Sequence, residues 1–279
     1  MRIAQNIFAV AAIGVTALAG AAATAAESDI PPKLRWSFAG PFGLYDQAQL
    51  QRGFKVYHEV CQNCHGINLL AFRNFSDPGG PGYSKAQAEA IAAQYQVTDG
   101  PNDQGEMFQR AGRLADYIPP PFPNEQAARA RYNAVPPDFS TIAKARGIER
   151  GFPWFIFDMF TQYQEGGVDY ITAYVSGYED NPPAGFALPA GAYYNKYFPG
   201  HATSMPKPLV DGQVDYTDGT RPTIDQYAKD VSAFLMWVAE PHMEARKRLG
   251  FQAMIFMLVL AGLLYFTKKK VWAEVHDHA

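Results

Sequence analysis

The run Cys61-Gln62-Asn63-Cys64-His65 constrains this chain more than any other feature, because it holds both of the cysteines present. A disulfide is the default for cysteines in an oxidising compartment, but two intervening residues close too short a loop to act as a staple. A thioredoxin-like redox pair uses the same spacing at a strand-to-helix junction. A structural zinc site needs a fourth ligand, usually a further Cys or His in a compact motif. Covalent haem attachment needs two thiols that add across the two vinyl groups of one porphyrin edge, with the next residue, a histidine, reaching the iron. Upstream, Leu50, Phe54, Tyr57 and Val60 recur at helical spacing behind Asp46, a suitable N-cap. The motif therefore follows a helix. With the adjoining histidine and the export signal described below, it reads as the site of one haem c, held by thioethers from Cys61 and Cys64 with His65 as proximal ligand.

An electron-carrying haem usually takes a sixth ligand from the protein. The candidates downstream are Met107, Met159, His201, Met205, Met236, His242 and Met243. Met159 and Met236 lie in apolar, helix-like runs and read as adaptable core filler. Met205 stands instead in Pro199-Gly-His-Ala-Thr-Ser-Met-Pro-Lys-Pro208, where the prolines forbid helix and hold the loop extended. A rigid loop offering one thioether suits a Met/His site, which raises the haem potential. On the residues alone His201, four positions earlier, stays open as a rival.

The two ends of the chain are apolar. After Arg2, residues 7–18 form an almost unbroken apolar run, followed by Ala21-Ala22-Ala23-Thr24-Ala25-Ala26. This is the pattern of a cleaved signal peptide covering 1–26, and it places the following residues in the periplasm or an equivalent compartment. Residues 249–266 carry no charge. At ~1.5 Å per residue they span about 27 Å, close to the hydrocarbon thickness. We expect a single transmembrane anchor at 246–268. Basic residues flank it on both sides, at 246–248 and 268–270, so the flanking charge chooses no orientation. The export signal does: residues 27–245 form an exported domain and 269–279 a short cytoplasmic tail.

That exported domain carries 17 basic against 25 acidic residues, a net of −8 that the whole-chain value of −3 conceals. Its acidity fits attraction of a basic partner, and no nucleic-acid partner is expected. Glu165, Asp169, Glu179 and Asp180 form one candidate acidic docking patch. Proline and glycine punctuate the stretches 76–82, 118–123 and 181–183. Thr223-Ile-Asp-Gln226 has a capping-box pattern ahead of the apolar stripe Val231, Phe234, Leu235 and Val238, and Pro241 is placed to kink the helix leading into the anchor. The expected fold is mainly α: one c-type cytochrome domain with long ordered loops around one haem, plus one C-terminal transmembrane helix.

Several stretches together resemble the cytochrome c1 family, the haem subunits of cytochrome bc1 complexes. They are Arg52-Gly-Phe-Lys-Val-Tyr-His-Glu-Val-Cys-Gln-Asn-Cys-His65, Val135-Pro-Pro-Asp-Phe-Ser-Thr-Ile-Ala-Lys-Ala-Arg146, Tyr193-Tyr-Asn-Lys-Tyr-Phe198, Ser204-Met-Pro-Lys-Pro-Leu209, Ala228-Lys-Asp-Val-Ser-Ala-Phe-Leu-Met-Trp237 and Ala239-Glu-Pro-His242. The resemblance implies Met205 as the sixth ligand, and Arg73 and Arg129 near the haem propionates. Some members carry a further cysteine pair in an inserted loop, which this chain lacks. The resemblance also implies electron transfer from a Rieske iron–sulfur protein to a soluble c-type cytochrome, with cytochrome b as a further partner in a dimeric inner-membrane complex, the catalytic unit being a quinol–cytochrome c reductase. Two other classes compete: a free membrane-tethered shuttle, and a haem peroxidase or gas sensor with a displaceable sixth ligand.

Overall fold

The computed structural model describes residues 28–147, 152–161, 163 and 165–273. The expected leader at 1–26, the end of the expected tail at 274–279, and the side chain of Met159 lie outside the described residues. The order of elements is α1 (Gln47–Glu59), 3-10 turns at Cys61–Asn63 and Phe72–Ser76, α2 (Lys85–Ala93), β1 (Gln96–Asp99), β2 (Phe108–Ala111), α3 (Glu125–Tyr132), α4 (Ile142–Ala145), α5 (Trp154–Thr161), α6 (Gly166–Ser176), β3 (Tyr193–Tyr194), β4 (Ala202–Thr203), α7 (Ile224–Ala239) and α8 (Met243–Val271). The fold is mainly α with long loops, as the sequence predicts.

The chain divides into two compact units. The larger comprises 31–177 and 207–279 and contains every helix among the described residues. Its first helix begins where expected: the Asp46 carboxylate accepts the Gln49 amide at 3.1 Å. Helix α1 packs against α7 through the smallest possible contact. A Cβ on Gly53 would stand 2.1 Å from the Asp230 carbonyl and 2.6 Å from the Phe234 Cβ. Gly167 plays the same part where α6 meets α4, 1.8 Å from the Ala143 carbonyl by the same measure. Around the α1–α7 crossing the rings of Phe54, Tyr57, Phe75, Phe234 and Trp237 pack at centroid spacings from 4.7 to 5.7 Å.

One charge sits inside this crossing. Asp230 is wholly buried, and Arg52 donates to it through Nε at 2.9 Å and Nη2 at 3.3 Å. Gln226 adds a bond at 2.9 Å, and the free Nη1 of Arg52 reaches Asp218 at 2.8 Å. Every polar group is therefore matched, which is the condition for a buried ion pair to be tolerated.

Pro241 breaks the chain rather than kinking one helix. Helix α7 stops at Ala239, and α8 starts at Met243. Tyr45 spans the gap, its hydroxyl donating to the carbonyls of Met236 and Glu240 and its amide to Glu244. Lys247 donates to the carbonyls of Phe38 and Gly43 at 2.7 and 3.1 Å. Glu240 pairs with Lys144 at 2.6 Å and with Arg246. Beyond this mount α8 leaves the core. Its most apolar window has a mean hydropathy of 2.1 and none of it is buried, so this helix is long and apolar enough to cross a membrane.

The smaller unit comprises residues up to Ile30 and 178–206. It is organised by the antiparallel pair β3–β4, with Tyr193 opposite Thr203 and Tyr194 opposite Ala202. Asn195 is fully buried; its amide donates to the His201 carbonyl and its side chain accepts from Tyr197.

Two substitutions test the crossing. Gly53→Ala adds a methyl where backbone already fills the space, and it should cost about 2 kcal/mol of stability despite alanine's better helix propensity. Asp230→Ala leaves the Arg52 guanidinium without its main partner and should cost about 3 kcal/mol. Thermal denaturation of the detergent-extracted protein reads both, and an unchanged midpoint in either variant contradicts this packing.

Candidate haem-binding site

Helix α1 delivers the motif. After Glu59 the chain tightens into the 3-10 turn Cys61–Asn63, and the Cys61 carbonyl accepts two successive amides, from Cys64 at 3.1 Å and His65 at 2.9 Å. That single carbonyl sets the spacing of the two thiols and the imidazole. The Tyr57 hydroxyl, one turn earlier and buried, donates to the His65 carbonyl at 2.9 Å. The intervening residues are tied as well. Tyr95 donates to the Gln62 side chain at 2.7 Å, and the His58 ring meets both of them.

His65 is buried and its ring lies flat on Phe139, with centroids 4.0 Å apart at 13°. Its Nδ1 is 2.8 Å from the Pro137 carbonyl. A carbonyl can only accept, so Nδ1 carries the proton and Nε2 keeps its lone pair for a metal. Burial lowers the imidazole pKa, more than the Pro137 carbonyl and Asp138 raise it, so the neutral ligand form prevails. The segment that supplies this carbonyl is itself anchored. Asp138 accepts from the amides of Asn68 and Ser140, and the Phe139 amide donates to the Gly66 carbonyl at 2.7 Å.

The two cysteines are free thiols. Burial pushes the Cys61 thiol up to about 12, with Cys64 adding a smaller push in the same direction. A redox dithiol needs the opposite shift, since its attacking cysteine must be a thiolate. Nor does the motif resemble a zinc site: among the described residues no three His, Cys, Asp or Glu side chains are placed to hold a metal ion together. Two free thiols beside one oriented imidazole fit covalent haem, whose edge takes the sulfurs and whose iron takes the nitrogen.

The other expected site residues lie apart from this turn. Arg73 sits in the 3-10 turn Phe72–Ser76, its amide donating to the Leu114 carbonyl at 2.8 Å and its side chain exposed. Arg129 is exposed on α3. Among the described residues no hydrogen bond joins either guanidinium to the motif. Met205 belongs to the smaller unit and is half-buried. Its amide donates to the Thr203 hydroxyl at 3.3 Å, and its carbonyl accepts the Tyr178 hydroxyl at 3.1 Å. His201, the rival, holds a left-handed backbone at φ 58°, stacks on Tyr194 and has a buried Nδ1 without a hydrogen-bond partner.

Half of the expected acidic docking patch is overturned: Glu179 and Asp180 are exposed, but the other two members are not. Glu165 and Asp169 are buried, and the Asp169 carboxylate accepts from the Trp36 indole at 2.8 Å, the Leu34 amide and the Tyr163 hydroxyl. Acidic side chains ordinarily stand on the surface, but Trp36 and Leu34 of the N-terminal segment cover Asp169. Sequence reasoning also missed Pro137, Phe139, Thr203 and Tyr178 as supports. The first two lay inside a quoted motif, where the paired prolines 136 and 137 signalled a fixed extended backbone; nothing signalled the others.

The chain was compared with known proteins. The model of the cytochrome C1 family matches residues 36–275. Cytochrome b/c1 of Bradyrhizobium diazoefficiens is 64% identical over 250 residues, which are 89% of this chain and 36% of that protein. Cytochrome c1 of Blastochloris viridis is 51% identical over 93% of this chain and 92% of its own length. The Candida albicans cytochrome b-c1 complex catalytic subunit, mitochondrial, is 42% identical over 92% of this chain and 82% of its own. With a family match across most of its length and relatives at these identities, this chain belongs to the cytochrome c1 family.

Proposed function

We propose that this chain is the haem-bearing electron carrier of a quinol–cytochrome c reductase, taking electrons from a Rieske iron–sulfur protein and passing them to a soluble c-type cytochrome. The observation that carries the reading is the orientation of His65, whose Nδ1 is committed to the Pro137 carbonyl beside two free thiols. Bound haem supplies a one-electron iron couple there. Cys61 and Cys64 hold its edge as thioethers, and His65 provides the proximal nitrogen. Met205 provides the sixth ligand, supported by its two backbone hydrogen bonds and by the flanking Pro206 and Pro208. Arg73 and Arg129 are free to meet the propionates by charge-assisted hydrogen bonds. With His65 and Met205 both holding its iron, the haem would leave no place for oxygen or peroxide, and electron transfer would be the remaining chemistry.

The relatives' names support the assembly. One is named cytochrome b/c1 and another a subunit of the cytochrome b-c1 complex, which fits partnership with cytochrome b in a dimeric complex. The expected export signal supports a haem domain on the periplasmic face of the inner membrane, with α8 as the single span and the C-terminus cytoplasmic. The net charge of −8 over residues 27–245 attracts a basic carrier through the field of the whole domain.

Three outcomes follow. The reduced optical spectrum should be low-spin and indifferent to carbon monoxide, while Met205→Leu should bind it and His201→Leu should not; carbon monoxide binding by the wild type overturns the carrier reading. Cys61→Ser together with Cys64→Ser should abolish haem staining on a denaturing gel, where the wild type keeps it. The rate of electron transfer to a basic soluble cytochrome should fall steadily as salt rises from 0.01 to 1 M, over which the Debye length shrinks from ~30 to ~3 Å; a flat profile contradicts steering.

A further inference from the structure

We propose that α5 and the loop tip at Phe42 form a second membrane contact, dipping into the lipid interface beside α8; this rests on the reading of α8 as the membrane span. Trp154, Phe155, Ile156 and Phe157 are consecutive, and each is between 38% and 55% exposed. Successive helical positions turn by about 100°, so four in a row face almost every direction around the axis. Phe152, just before them, is 80% exposed. A helix apolar on all sides belongs in a core or in lipid, and this one lies in no core of the chain.

The place of α5 in the fold points to the bilayer. Tyr163 donates its amide to the Asp158 carbonyl at 3.2 Å, tying the end of α5 to the segment that follows. Two residues later, Glu165 shares a small cleft with Met243, Arg246 and Lys247 in the first turns of α8. The aromatic helix thus emerges beside the base of the membrane-crossing helix. The Phe42 tip also lies against α8. Phe42 is 74% exposed yet packs edge-on against Phe251 at 5.8 Å, two residues into the uncharged stretch of α8. Leu44 beside it is also exposed, and Lys247 holds this loop through the Phe38 and Gly43 carbonyls.

Lipid suits this surface better than a protein partner. A protein would need a groove enclosing α5 on all sides, whereas a bilayer surrounds an inserted helix without any shaped site. Trp and Phe are favoured at that depth, and Arg246, Lys247 and Arg248, immediately before the uncharged stretch, match anionic head groups. The surface would fix the tilt of the domain, which a single span leaves free to rotate.

A nitroxide on Phe155→Cys, in the haem-loaded full chain in native membranes, tests this by collision with oxygen and with a water-soluble nickel chelate. Leu258→Cys on α8 serves as the lipid reference and Asp103→Cys, exposed on the β1–β2 connection, as the water reference. The expected result is an oxygen-to-nickel collision ratio several-fold above that of Asp103→Cys and approaching that of Leu258→Cys. A ratio equal to the water reference overturns the proposal, and so does low access to both reagents, which marks a covering protein. If Leu258→Cys itself reads as water, the anchor reading fails first. A repeat at Phe42→Cys must agree with Phe155→Cys, since the two are assigned to one plane.

Discussion

The close crossing of α1 and α7 is the contact on which the remaining geometry depends. Gly53 lets the two backbones meet, and the Arg52–Asp230 pair beside it fixes their register, because a slipped register would strand a buried charge. Helix α1 runs directly into the turn that carries Cys61, Cys64 and His65, and α7 runs into the base of α8. One crossing therefore connects the haem motif to the point of membrane entry. A slip by a single helical turn would move one relative to the other by roughly 5 Å, a distance that matters for any electron carrier fixed between partners.

Much of this was legible in the sequence, and the reasons differ by residue. The motif, the Asp46 cap and the uncharged stretch of α8 are local signals, complete within a few residues or one apolar run. The Gly53 contact was not legible, since a glycine within a helical pattern looks the same whether it faces solvent or another backbone. Pro241 was read as a kink because proline always interrupts the helical ladder; whether the chain bends or restarts depends on what satisfies the freed groups. Here Tyr45, nearly two hundred residues upstream, does so. The short strands β1 and β2 were absent from the sequence reading because four residues each give too little alternation to distinguish from loop.

The site shows the same division. Cys61, Cys64 and His65 are fixed by one carbonyl within five residues, so pattern and structure coincide. The group that fixes the His65 tautomer comes from a segment seventy-two positions away, and its identity as a backbone carbonyl gives it no side-chain signature. Met205 is intermediate. The prolines around it predicted a stiff extended loop, but the Thr203 and Tyr178 hydroxyls that clamp its backbone are unremarkable in sequence. These hydroxyls hold the loop by non-covalent means.

The burial of Glu165 and Asp169 changes how a soluble partner must be attracted. The Asp169 carboxylate, which accepts hydrogen bonds from Trp36, Leu34 and Tyr163, is structural, and its charge is spent on holding the N-terminal segment against α6. On the proposed carrier reading, attraction then rests on the summed field of many exposed acidic side chains, Glu179 and Asp180 among them, rather than on the four-residue patch. Such a field raises the encounter rate over a range of approach angles without deepening any single bound state. For a carrier that must release its partner after each electron this is the more useful arrangement, because strong local pairing would slow dissociation and limit turnover.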